Sequence, residues 1–315
     1  MRTYKCATTA SGRAARLATN TCIIHGVLLL PLLCSIDAFS ISTAGGTNPK
    51  QPPQSASATI NQAKQNLRQA LKTSNYRSET EAVQAAVREL AELNAPSNEA
   101  DPCSSPLFEG HWLGLTAPTF PGRIEGTPDD VYKFKLGRMS FNQFQPADLV
   151  CTVDRIVNPV IPINDDSDSD SDSSADDEAA AASLACFSYS FHSSISIATK
   201  CGNDLPALLI SDAICRPWTH TNEEDCIKGR VEVAFGGGSL EPVKNLIGDE
   251  GYNRLWGETF NVVMDQDVPQ SFRYDVERPF KGFIDVLYLD EELRITRGNM
   301  GTIVIAERVR KELAE

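Results

Sequence analysis

The chain lacks a long apolar run. Its most apolar stretch, CIIHGVLLLPLLC from Cys22 to Cys34, falls short of the about 20 residues that cross a bilayer as a helix. There is no C-x-x-C pair. Cys103, Cys151, Cys186, Cys201, Cys215 and Cys226 stand far apart, which argues against a zinc module. These six thiols would permit disulfides in a secreted chain, but 315 residues can build a core without them. No Asn-x-Ser/Thr glycosylation acceptor occurs, and no Gly-x-Ser-x-Gly nucleophile elbow. FGGGSLEP, Phe235 to Pro242, lacks the Lys-Ser/Thr of a phosphate loop and reads as a flexible turn. His111, His192 and His220 are scattered, so neither a metal nor another cofactor is expected. Basic clusters are missing too. The net charge is −13, which phosphate backbones would repel, so nucleic acid is no partner.

What is present starts with a basic segment, Arg2, Lys5, Arg13 and Arg16, ahead of the apolar run and the small residues of SIDAFS. That is a signal-peptide pattern over residues 1–38. From Phe39, SISTAGGTNPKQPPQSASA is rich in Ser, Thr and Ala, with Lys50 and no acid, so 39–57 reads as a transit-like disordered segment. The tandem resembles the bipartite targeting sequence of algae with secondary plastids, in which a Phe follows the cleavage point. Ordinary secretion is the alternative.

A domain is expected over residues 58–315. Two amphipathic helices come first, within 58–94. Ile60, Ala63, Leu67, Ala70 and Leu71 recur at helical spacing, as do Val83, Ala86, Val87, Leu90 and Leu93. Ser78 with Glu81 suggests a capping box, and Asn94 with Pro96 a stop. Beyond residue 107 the period drops to two. In CFSYSFHSSISIAT, Phe187, Tyr189, Phe191, Ile195 and Ile197 share one face and serines with His192 the other. VYKFKL, GRVEVAF, ETFNVVM and SFRYDV also read as strands. The result is mainly β with N-terminal helices, an antiparallel sandwich or barrel of roughly ten strands over 107–309. An acidic run, Asn164 to Glu178 with eight carboxylates, sits in a disordered insertion, 164–182, that cannot bury.

The candidate residues gather at the two ends of this region. Asp290, Glu291 and Glu292 could pair for acid–base work, but neighbours on an exposed turn point apart. Gly110-x-Trp112 opens the first strand, and Arg294, Arg297 and Arg308 lie in the last ones. A barrel closes by pairing its first and last strands, and an Arg over the Trp face would seal that seam. Arg294 is the expected partner. The pattern resembles the closure signature of lipocalins, and so predicts a lipocalin-like antiparallel β-barrel.

YLDEELRITRGNMGTIVIAERV, from Tyr288, resembles the C-terminal signature of the plastid lipid-associated proteins, the plastid fibrillins or plastoglobulins. Tyr288, Leu289, Asp290, Leu293, Arg294, Ile295, Arg297 and Gly298 carry the match. LAELNAPSN and LFEGHWLGLTA resemble the family's earlier segments, with Ala95 intruding before Pro96 and Leu115-Thr116-Ala117 departing from its tyrosine-threonine pattern. The resemblance implies a plastid protein on thylakoids or plastoglobules that holds prenyl quinones, carotenoids or other lipids and is not an enzyme. Alternatives are a soluble carrier or accessory of isoprenoid-lipid synthesis, and an enzyme using carboxylates at the barrel mouth. Gly110, Trp112, Tyr288, Asp290, Arg294, Arg297 and Gly298 are expected to be structural. The charges of 290–297 are expected at the rim or outer face, and Gly298, Asn299 and Gly301 are expected to supply unusual φ values for a tight turn.

Overall fold

The computed structural model describes residues 56–93, 101–128, 131–163, 186–218, 229–262 and 269–310. The chain divides into Met1–Pro52 and Pro53–Glu315, and every described residue belongs to the second unit. The presequence, the acidic insertion, His220 and Cys226 lie outside the described residues.

Helices α1, Ala56–Thr73, and α2, Glu81–Leu93, form a pair. Ten strands follow in one sheet: β1 Gly110–Gly114, β2 Lys133–Lys135, β3 Val150–Pro162, β4 Phe187–Tyr189, β5 Phe191–Ala198, β6 Asp204–Pro217, β7 Arg230–Pro242, β8 Phe272–Leu289, β9 Leu293–Gly298 and β10 Ile303–Val309. A short helix, α3 Leu136–Met139, follows β2, and α4, Glu250–Phe260, follows β7. All pairings are antiparallel. β1 pairs with β10, with Trp112 opposite Arg308, and also with β3, with Trp112 opposite Asn158. β4 and β5 are two pieces of one stave between β3 and β6. The ring therefore closes as an eight-stave barrel, a size whose interior holds side chains or one small ligand.

Residues on β9 and β10 are buried on both faces, for different reasons. Leu293, Ile295, Ile303 and Ile305 point outward and pack beneath Leu67, Leu71, Val83 and Leu90 of the helix pair. Arg294, Thr296, Val304 and Ala306 point into the barrel. Lys64 of α1 reaches Asp290 at 2.5 Å and Glu292 at 3.1 Å, and Arg68 reaches Glu307 at 3.0 Å, so ion pairs fix the helix on this outer face.

Several elements differ from the sequence expectation. The start of ETFNVVM is helical: Glu258–Phe260 end α4. Asp249 caps that helix through the Tyr252 amide at 2.8 Å, and Tyr252, Trp256 and Phe260 at i, i+4 spacing bury one stripe. FGGGSLEP is not a turn but the second half of β7, with a bulge between Phe235 and Gly237. The glycines are needed there because backbone and rings pass close by. A Cβ at Gly237 would stand 2.6 Å from Tyr274 O, and one at Gly238 2.9 Å from the Tyr274 ring. SFRYDV and GFIDVLYL are halves of one 18-residue strand. In the β9–β10 turn only Gly301, with φ +81, is left-handed; Gly298 and Asn299 are not. Helix α2 starts at Glu81, with the Gln84 amide on Thr80 O at 3.0 Å, so Ser78 lies too early to cap it.

β3 and β4 stay paired as far as Pro162 and Phe187, and the Ile163 amide donates to Cys186 O at 2.8 Å. The acidic run thus joins two hydrogen-bonded strand ends. A loop shorter by about fifteen residues changes closure entropy by on the order of 1 kcal/mol. Deleting Asn164–Glu178 is expected to leave Tm within a few degrees by calorimetry. Loss of cooperative unfolding would show that the run packs against the barrel.

Candidate ligand site

The interior divides into three regions. Phe108, Trp112, Val160, Phe187 and Tyr189 fill the end near the β1–β10 seam. Trp256, Phe260, Phe134 and Ile195 fill another part, between α4 and the barrel. Between them the barrel is hollow. A cavity of about 240 Å³ is walled by Ile156, Phe191, Val233, Phe235 and Ile284, with Trp112, Asn158, Tyr189 and Arg294 also lining it. A second, of about 560 Å³, shares Gly114, Ile156, Phe191, Phe235 and Val304 with the first and extends past Pro118, Phe120, Met139 and Phe141. Together these volumes fall in the range of small-molecule sites: mostly apolar walls with few polar groups.

A file of aromatic rings runs through this space. Phe141 and Phe280, 44% and 48% exposed, stack at 5.1 Å. Phe141 lies 6.4 Å from Phe235, which stacks on Phe191 at 5.9 Å. Phe191 meets Tyr189 edge-on at 5.3 Å, and the Arg294 guanidinium is 5.6 Å from the Tyr189 ring. Phe141 and Asn142 are held at φ +53 and +61, a conformation that is uncommon outside glycine.

The sequence setting places Arg294 correctly over Trp112 but wrongly at the barrel surface. It is not at the rim or outer face; it is 2% exposed, inside the barrel. Trp112, Tyr189 and Phe108 surround its guanidinium at 4.9, 5.6 and 5.9 Å. Nη2 donates to Asn158 Oδ1, and Asn158 is oriented for this because its Nδ2 donates to Ser190 O at 2.6 Å. Nη1 is buried with no hydrogen-bond partner among the described residues. Burial pulls the guanidinium below its ordinary pKa, with Tyr189 opposing. Arginine nonetheless stays charged in proteins.

The seam itself is sealed by Arg308, 4.3 Å over the Trp112 ring. Its three nitrogens donate to Glu291 O, Glu109 O and Leu107 O at 2.9, 2.6 and 2.6 Å. Trp112 is fully buried and donates Nε1 to Phe108 O at 3.2 Å. Gly110 takes φ +136, and any Cβ there would overlap Arg308 Nη1. Gly110, Trp112 and Arg308 thus form one unit, with Arg294 a second cation near the same Trp.

Tyr288 and Asp290 sit on the helix side, outside the cavity. Tyr288 donates to Asp290 Oδ2 at 2.5 Å, and Asp290 Oδ1 accepts the amides of Glu292 and Leu293 at 2.9 and 2.8 Å. Asp290 is therefore a turn cap and an ion-pair partner rather than a solvated charge, and neither it nor Glu291 and Glu292 line the cavity. Arg297 is exposed, and the Gly298 amide closes the hairpin on Thr302 O at 2.9 Å. Among the described residues no three His, Cys, Asp or Glu side chains gather as metal ligands, and no helix is long and apolar enough to cross a membrane.

Burial would raise the Asp290 carboxyl, but Lys64, Tyr288 and the two amides outweigh it and hold its pKa below the ordinary value. A depressed carboxylate stabilises the fold above its unfolded pKa of about 3.9, and that contribution is lost as pH falls through the lower folded value. Asp290→Asn is expected to cost about 1–3 kcal/mol at neutral pH, with the gap to the parent closing below about pH 4. Urea unfolding at a series of pH values measures this. A gap that persists unchanged into strong acid would mean that charge is not involved.

The aromatic file and the missing counter-charge of Arg294 were not legible in the chain. The shared face of Phe187, Tyr189 and Phe191 was. No curated protein and no solved structure matches the chain. Residues 224–307 match the family model PAP_fibrillin; the segment takes in β7, α4, β8, β9 and most of β10, just over a quarter of the chain. The Tyr288–Gly298 signature lies inside the matched segment, on the closing strands of the barrel, so this part of the chain is similar to the plastid fibrillins, the plastid lipid-associated proteins.

Proposed function

We propose that this chain is a plastid lipid-associated protein that holds a single hydrophobic molecule inside its barrel, a prenyl quinone, a carotenoid or another lipid, and works at thylakoid or plastoglobule surfaces. The observation that carries this reading is the apolar hollow between two well-packed ends of the barrel. Phe141 and Phe280, exposed where the aromatic file starts, suit exchange with a lipid surface. In this reading no side chain reacts: the walls bind and the ends exclude water.

Val304 lines both volumes. Native mass spectrometry of protein purified from its own organism is expected to show one bound lipid per chain. Val304→Trp, which fills the hollow, should lose that lipid and weaken rebinding at least about tenfold, while circular dichroism stays unchanged. A parent protein that carries no lipid and takes up none from plastid extract would end the reading. A fluorescent fusion of residues 1–60 tests the location: it should enter the plastid, and uniform secretion would contradict that.

A further inference from the structure

The least balanced group in the molecule is the Arg294 guanidinium. Arg230 also lies in the sheet, and it has a carboxylate: Asp285 accepts from its Nε and Nη2 at 2.6 and 3.1 Å. Arg294 is more deeply buried, yet has no ion pair among the described residues. Its one side-chain acceptor is the neutral amide of Asn158, and Nη1 has none. Three aromatic faces offset part of the desolvation of a cation, but they supply no acceptor for its N–H groups. A charge taken out of water without a counter-charge costs several kcal/mol. The same guanidinium lines an apolar cavity reached along the file from Phe141 to Tyr189. A long apolar body in that hollow would therefore bring one end to an unfilled, cationic donor.

We propose that Arg294 is the anchor for an anionic head, and that the barrel takes single-tailed carboxylates of the fatty-acid type, the carboxylate on Arg294 and the tail along the aromatic file. The proposal rests on the barrel binding a hydrophobic molecule and narrows which one. A carboxylate supplies both the missing charge and the missing acceptor, and a guanidinium engages it through parallel N–H donors. A neutral ester of the same tail offers one good acceptor, its carbonyl oxygen, and no charge, and an alcohol offers one hydroxyl; neither has two equivalent anionic oxygens. A single tail also suits the site better than a two-tailed lipid, because the inner cavity of about 240 Å³ is smaller than the usual ligand site.

Delipidated full-length protein is titrated with oleate, methyl oleate and a prenyl benzoquinone, following displacement of a fluorescent fatty-acid probe and, independently, calorimetry. Oleate is expected to bind at least about tenfold tighter than methyl oleate, the ratio that about 1.4 kcal/mol of head-group pairing produces. Arg294→Gln should bring oleate down to the methyl oleate level and leave methyl oleate unchanged; Arg294→Lys should restore part of the preference. Equal affinity of the parent protein for oleate and its ester overturns the anchor, and does so without any variant, should Arg294→Gln fail to fold. A preference for the neutral quinone over oleate overturns it too, while leaving the lipid-holding barrel intact. Failure to bind any of the three overturns both.

Discussion

Trp112→Ala is expected to destabilise the fold by about 3–5 kcal/mol, the cost of truncating a fully buried Trp. The loss has three parts. The ring fills the seam end of the barrel against Phe108 and Val160. Its Nε1 satisfies Phe108 O. Its face also carries Arg308, whose three backbone acceptors lie in the chain on either side of the seam. Urea unfolding measures the total, and a cycle with Arg308→Ala separates the stacking, expected at about 0.5–2 kcal/mol of coupling. Zero coupling would mean that Arg308 only ties carbonyls together and that Trp112 seals the seam by volume alone.

Trp256→Ala should cost a similar amount, about 3–5 kcal/mol, although it lies on a helix and not on a strand. Trp256 is fully buried, 4.8 Å from the Phe260 ring and stacked on Phe272 at 6.0 Å. Its Nε1 donates to Gln270 O at 3.2 Å, which ties α4 to the start of β8. Without the indole, α4 keeps only Tyr252 and Phe260 as buried aromatic anchors. Limited proteolysis should then cut within 250–260 before the barrel strands. A cost below about 1 kcal/mol, with no new cleavage there, would show that α4 rests on the barrel without anchoring it.

The strand alternation was read correctly and its sidedness was not. Arg294 and Thr296 do share one face, and Leu293 and Ile295 the other. A period of two separates two faces without saying which is inside, because a helix layer can bury the outer face of a barrel as well. The apolar face therefore went under α1 and α2, and the arginine went into the hollow. The same limit explains ETFNVVM, whose apolar residues suit either period; the Asp249 cap and an i, i+4 aromatic stripe beginning at Tyr252 decided for helix at its start. The triple glycine was read as flexibility, whereas at Gly237 and Gly238 neighbouring strands had claimed the space of a side chain.

The residue order alone established two amphipathic helices, a following all-β region with antiparallel turns, and a segment at its end that resembles the family signature. Those are local or periodic properties, set by side-chain spacing and turn chemistry along the chain. The hollow between two packed ends, the file of rings leading to it, the choice of Arg308 rather than Arg294 to seal the seam, and the burial of Arg294 without a counter-charge arose only on folding. Each depends on which distant residues share one interior: Asn158 and Arg294 lie 136 positions apart in the chain. No local pattern encodes that proximity, because closing the ring is what creates it.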